Sequence, residues 1–183
     1  MPRAGLNPDV VVDVALALVD EKGLDALSLA AVADRAGVAA PSLYKHVGSL
    51  ADLRTLMAAR IMRQISASFA EVVMGRSRDE AVEALMRAYR AYALANPGRY
   101  ALVPHDPLHN PPLADAGREL LGIFVAVLRG YGLDDAAATH AIRRLRATVH
   151  GFADLEAGGG FGLPEDIETT YDQVIDMYVR SLR

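Results

Sequence analysis

Residues 28 to 47, SLAAVADRAGVAAPSLYKHV, constrain this chain more than any other stretch. Their punctuation predicts two short helices with a tight break between them. Ser28 is a good N-cap, because its hydroxyl can accept a hydrogen bond from an orphan amide of the first turn. Leu29, Val32, Ala33 and Ala36 then recur at helical spacing. Gly37 follows, and glycine takes the left-handed conformation at a helix end without steric cost. Pro41 stands where a second helix would begin, its missing N–H being an orphan there in any case. Leu43 and Val47 would face inward, and the small Ala33 lets the second helix cross closely over the first. This is the pattern of a helix-turn-helix, whose second helix enters the DNA major groove.

The outer face of the second helix carries matching chemistry. Ala40, Pro41, Ser42 and Lys45 project from its start, where base edges would lie. Lys45 suits a guanine edge, and Ala40 with Pro41 suits thymine methyl groups. Tyr44 and His46 offer polar hydrogens to phosphate oxygens, as do the helix starts at Ser28 and Ser49. The stretch GVAAPSLYKHVGSLADL resembles the TetR family of bacterial transcriptional regulators, which carry a Leu-Tyr-x-His-aromatic run followed by a Ser that opens the next helix. Leu43, Tyr44, His46 and Ser49 match that pattern. Three positions depart from it: Val47 replaces a usual Phe, Leu50 a frequent phosphate-touching Lys, and Ala39 a common capping Ser or Thr.

Charge adds a constraint of its own. Residues 1–54 hold five cationic side chains (Arg3, Lys22, Arg35, Lys45, Arg54) against seven carboxylates, a net of −2. Nucleic-acid binders normally show a basic footprint. Attraction to phosphate must therefore come from a local patch, helix N-termini and neutral donors.

The chain as a whole reads as all-α. Alanine and leucine dominate a 183-residue sequence that is 52% hydrophobic and 6% aromatic, with few β-branched runs at alternating spacing. A net charge of −4 brings no general attraction to polyanions. The absence of cysteine excludes a disulfide framework, a thiolate nucleophile and cysteine-ligated zinc, and makes a reducing cytoplasm the expected setting. The apolar run VVVDVALALV is broken by Asp13 and lacks the flanks of a signal peptide. No run approaches the ~20 apolar residues of a membrane span.

Helical periodicity and caps predict a first helix over 8–22, with Asn7 as cap and Gly23 as stop. The helix-turn-helix follows. A capping box at Ser49 and Asp52 opens a long helix to about residue 73, and Ser77 with Glu80 forms a second such box. Further helices are expected over 78–95, 113–129, 134–157 and from Pro164 onward. The segment HDPLHNPPL reads as a loop, and the glycine run at 158–162 as a sharp or flexible turn. The expected organisation is a three-helix DNA-binding domain over 1–49, joined to a helical ligand-binding and dimerisation domain over 50–183. The segment VHGFADLEAGGGFGLP also resembles the C-terminal domain of a TetR subfamily named for a Trp-His-Gly motif. His150 and Gly151 match its last two letters, while the chain has no tryptophan.

The resemblance implies a body that binds a small molecule and forms a homodimer through its last two helices. Tyr89, Tyr92, Phe124 and His150 are the best candidates to line a cavity, although aromatic side chains at helical spacing more often fill a core. Tyr171, Ile175, Tyr178 and Val179 exceed one helical face, and such excess tends to be buried on a partner. His105, Asp106 and His109 offer two nitrogens and a carboxylate, but a proline-rich loop supplies no geometry to align them on a metal, and an exposed loop is the expectation. Asp154 and Glu156 read as the solvated end of a helix. No nucleophile, base and orienting group form a catalytic motif, so no enzyme and no cofactor are expected. The reading is a ligand-responsive repressor of double-stranded DNA, released from a palindromic operator by a small apolar or aromatic effector. The rival is a helical small-molecule-binding protein whose DNA affinity is weak or lost.

Overall fold

Asparagine, serine and aspartate caps punctuate this chain into helices. A computed structural model describes residues 6–183. Among them there are helices and no strands: α1 Pro8–Lys22, α2 Leu29–Ala36, α3 Ala40–Leu43, α4 Leu50–Val73, α5 Arg78–Ala95, α6 Pro97–Tyr100, α7 Ala114–Leu128, α8 Asp135–Ala157 and α9 Ile167–Arg180. The caps expected from sequence at Asn7 and Ser28 are made, each side chain accepting a backbone N–H from Val10 (2.9 Å) and Ala31 (3.1 Å). Asp134 and Asp166 cap α8 and α9 in the same way, at 2.7 Å and 2.8 Å. An uncapped helix start would leave these amides without an intrahelical partner. The all-α expectation holds.

The helices gather into two compact units. The first runs up to Arg63 and takes in Asn96–Gly117; the second comprises Gln64–Ala95 and Arg118–Arg183. A boundary near residue 50 describes the sequence pattern, whereas the first unit keeps the front half of α4 and recruits a distant segment.

In the first unit α1 is buried on more than one face. Val11, Val12, Ala15, Leu16, Leu18 and Val19 are all within the core. A helix apolar around most of its girth must be covered on several sides. Part of that cover is α6, from the segment read as leading into a proline-rich loop. A Cβ added to Gly98 would lie 2.8 Å from Val19 Cγ1, so glycine is what permits this approach. Arg99 fastens the contact by donating to both carboxylate oxygens of Asp20, at 2.7 Å and 2.6 Å.

In the second unit α5 lies against α8 and α9. Its core holds Val82, Leu85 and Met86 of α5, Leu145 and Val149 of α8, and Tyr171, Ile175, Tyr178 and Val179 of α9. These last four were expected to reach a partner chain; they are interior to this one. Two phenols make the packing directional. Tyr171 donates to the Met86 carbonyl (2.7 Å) and Tyr178 to the Ala141 carbonyl (2.9 Å). A buried O–H without an acceptor would cost about 1–3 kcal/mol, so each phenol selects one register of α9 on its neighbour. Burial also pushes the Tyr178 phenol up to about 12.

Gly98→Ala is expected to destabilise the first unit by about 1–3 kcal/mol, the usual cost of forcing extra volume into a packed contact. Chemical denaturation checks this, and an unchanged midpoint would mean that α6 does not pack closely on α1.

Candidate nucleic-acid interface

The reading head is built from a turn. Gly37 has φ 67° and ψ 35°, the left-handed region that side chains with a Cβ avoid. Its N–H reaches the Asp34 carbonyl at 3.0 Å, and the Val38 N–H reaches Ala33 at 3.0 Å. Together these bonds form a Schellman motif, which ends α2 and turns the chain sharply. Val32 and Ala33 of α2 and Leu43 and Val47 beyond the turn are buried, as their spacing suggested.

Regular α-geometry in the second helix lasts only from Ala40 to Leu43. Sequence spacing suggested a helix reaching Val47. Instead the chain tightens, with His46 N–H bonding the Leu43 carbonyl three residues back at 2.8 Å. Ala39 precedes α3 without a side-chain cap, consistent with the missing hydroxyl at that position. α4 opens with a reciprocal cap: Ser49 accepts from the Asp52 N–H (3.0 Å), and the Asp52 carboxylate accepts from the Gly48 N–H (2.9 Å).

Around this turn Ser28, Pro41, Tyr44, Lys45 and Ser49 are exposed, while Ala40, Ser42 and His46 are half-buried. Tyr44 leaves 58% of its surface to solvent. A tyrosine that open on a small helical unit has no packing role to explain it. The eight residues singled out from sequence thus sit within one stretch of chain, from the start of α2 to the start of α4.

The acidity of the head is largely tied up. Glu21 accepts from Arg35 (2.5 Å), Asp13 from Arg60 (2.9 Å), Asp20 from Arg99 (2.6 Å), and Asp9 also pairs with Arg60. The Arg35 guanidinium holds the Glu21 carboxyl below its ordinary range. Two of these arginines lie outside residues 1–54, so the net charge of that segment overstates the acidity of the folded head.

Of the cavity candidates, Tyr89 and Phe124 are buried and stack with Phe69, at centroid separations of 5.8 Å (Phe69–Tyr89) and 6.3 Å for the other two pairs. Tyr92 and His150 are half-buried. His109 and Asp106 pair with each other at 2.8 Å in an exposed loop, and among the described residues no three His, Asp or Glu groups gather to hold a metal. No helix among them is long and apolar enough to cross a membrane.

Sequence reading missed Arg90. Its side chain keeps only 9% exposure, and its guanidinium donates to both oxygens of Glu156 (2.6 Å and 2.7 Å) and of Glu168 (2.9 Å and 2.7 Å). It also stacks over the rings of Tyr171 (4.6 Å) and Phe152 (5.4 Å). Glu156, expected to be solvated, is therefore half-buried in an ion pair that joins α5 to α8 and α9. An arginine between alanines and a tyrosine in an amphipathic helix gives no sign of its partners in sequence.

The described chain is thus a helical protein with an amino-terminal helix-turn-helix, a class of DNA-binding protein. Comparison with known proteins gives the family. The model of the bacterial regulatory proteins of the tetR family matches residues 11–54, and that of the tetracyclin repressor-like C-terminal domain matches 82–178. An uncharacterized HTH-type transcriptional regulator of Mycobacterium tuberculosis is 38% identical over 168 residues, covering 91% of this chain and 76% of that protein. A protein of unknown function from Rhodococcus sp. RHA1 shares the fold with a TM-score of 0.81 at 24% identity, over 97% of this chain and 95% of that one. ActR from Streptomyces coelicolor, solved in complex with actinorhodin, has a TM-score of 0.75 at 22% identity, over 98% and 96%. The chain belongs to the TetR family of DNA-binding transcriptional regulators, a family of regulators and not of enzymes.

Arg90→Ala is expected to lower stability by about 3 kcal/mol, because the half-buried Glu156 carboxylate loses the cation that compensates it; chemical denaturation of the whole chain measures this. The pairing also has a pH signature. Arg90 holds Glu168 below its ordinary 4.5, so the native state binds fewer protons than the unfolded chain near that pH. This contribution is complete above pH 4.5 and is lost as pH falls through the lower folded value. Stability should therefore fall on acidification below that point, and less steeply in Glu168→Gln; equal slopes in both proteins would contradict the assignment.

Proposed function

We propose that this chain is a ligand-responsive repressor that binds a palindromic operator as a homodimer in the cytoplasm and is released by a small apolar or aromatic effector. The observation that carries the reading is the head itself: a Schellman turn at Gly37 followed by Ala40, Pro41 and Ser42 of α3, with the exposed Tyr44 and Lys45 in the turn just beyond it. Lys45 reads a base edge, Ala40 and Pro41 pack on thymine methyls, and Tyr44, His46 and the helix starts at Ser28 and Ser49 hold phosphates. Pairing of Asp9, Asp13, Asp20 and Glu21 with arginines removes much of the repulsion that the acidic sequence suggested.

The effector reading rests on the aromatic cluster of Tyr89 on α5 and Phe124 on α7, with Tyr92 also on α5 and His150 on α8, which packs against α5. ActR, solved in complex with actinorhodin, is a precedent for a bound small molecule in this fold. A homodimer through the last two helices would use the apolar side chains that those helices leave exposed. With Tyr171, Ile175 and Tyr178 interior, the large apolar side chains most exposed on the last two helices are Leu155 of α8, at 53%, and Met177 of α9, at 61%. A two-fold interface there would set two heads about one DNA turn apart. An effector that binds the DNA-incompetent spacing better than the competent one shifts the population by that difference in affinity.

Footprinting on the intergenic DNA beside the gene, at two salt concentrations, is the test. A protected, roughly palindromic patch that weakens steeply with salt is expected. Tyr44→Phe should weaken binding to all sequences about equally. Lys45→Ala should relax preference at particular positions by about 1–3 kcal/mol; a uniform loss for both would remove Lys45 from base reading. No protection at low salt, in folded dimeric protein, would leave the rival: a small-molecule-binding protein that keeps the head without its affinity.

A further inference from the structure

The second unit contains an open cleft of about 590 Å³ that the proposed function does not use. It lies between the start of α5, the 3-10 turn Arg129–Tyr131, the first half of α8 and the chain after α9. Its floor is apolar, made by Leu133, Ala137 and the buried Leu182, and its walls are cationic, made by Arg78, Arg144 and Arg183, with His140 between them on α8. Ala137, His140 and Arg144 fall on one stripe of α8, three and four residues apart.

Arg78 is held in place at a conformational cost. Its φ is 50°, where residues with a Cβ are rarely found. Its guanidinium stacks over the Tyr131 ring at 5.3 Å and gives one hydrogen bond, to the Gly130 carbonyl at 3.1 Å. Arg144 gives a single long bond, to the Ser181 carbonyl at 3.4 Å. Each guanidinium carries five N–H donors, so most of their capacity is unspent.

The carboxylates nearby are already committed. Asp79 accepts from the Tyr131 hydroxyl at 2.7 Å and pairs with Arg183. Asp134 accepts from the Ala137 N–H as the cap of α8. Burial, reinforced by Asp79, holds the Tyr131 phenol well above its ordinary range, so it remains the donor in that bond. The cleft therefore combines unspent guanidinium donors with an apolar floor.

We propose that this cleft binds a small amphipathic anion, a carboxylate on an apolar body, with Arg78 and Arg144 taking the carboxylate and Leu133 and Leu182 the apolar part. Planar guanidinium groups match carboxylates in geometry and charge. The volume lies within the ordinary range for small-molecule sites. The site is separate from the Tyr89 and Phe124 cluster, so it stands or falls independently of the effector reading.

Calorimetric titration of the full chain with octanoate, 1-octanol and inorganic phosphate tests it. Octanoate is expected to bind saturably at one site per chain, with octanol and phosphate each at least about tenfold weaker. Arg78→Gly should weaken octanoate about tenfold without loss of fold, since glycine accepts φ 50° freely. Arg144→Gln should do the same, and thermal unfolding of both variants checks that they are folded. Octanol binding as tightly as octanoate, phosphate alone binding as tightly, or octanoate affinity unchanged in both folded variants would each overturn the proposal. So would binding of an acidic peptide with none of octanoate.

Discussion

At Gly37 the chain takes φ 67° and α2 stops. Two backbone bonds close the turn, to Ala33 and Asp34, and they leave the chain one direction in which to continue. The position of α3 follows from that direction. Ala33 gives the close approach, while Leu43 and Val47 close the contact from the other side. A residue with a Cβ at position 37 would pay for the left-handed conformation, and α2 would gain by running on. The exposed residues beside the turn have fixed places only because this turn does.

The first unit is more than its three short helices. α1 is apolar around most of its circumference, which three helices of this length do not cover. The remedy is α6, drawn from almost eighty residues further along the chain, and Gly98 allows it to lie close on Val19. The same arrangement changes the electrostatics. Arg99 and Arg60, both outside the segment that reads as acidic, neutralise Asp20, Asp13 and Asp9. Charge counted along a sequence window is a poor measure of the field that a folded unit presents, because ion pairs form across the window's edge.

The second unit relies on directional polar contacts within an apolar core. Tyr171 and Tyr178 tie α9 to carbonyls of α5 and α8, and Arg90 collects Glu156 and Glu168 while lying on two aromatic rings. Apolar packing alone tolerates sliding of one helix on another. A buried phenol or guanidinium does not, since each alternative register leaves a desolvated group without its partner.

What could be read in advance was local. Caps at Asn7 and Ser28, stops at Gly23 and Gly37, and the periodicity of α5 and α8 depend on residues within a turn or two of each other, and their positions agree with the structure within a residue or so. The helix-turn-helix was legible for the same reason: its whole specification lies within twenty residues. Pairings across long separations were not legible. Nothing in the neighbourhood of Arg90 marks Glu168 as its partner, nothing near Asp20 points to Arg99, and the apolar excess on α9 does not say whether its own chain or another will cover it. Sequence alone determined the bounds of α1, α2, α5 and α8, though not those of α3 or α9, because capping and periodicity are short-range. Only the tertiary structure decided which charges cancel, which aromatics are interior and which arginines line the cleft of the second unit, because those outcomes depend on surfaces that meet only after the chain has folded.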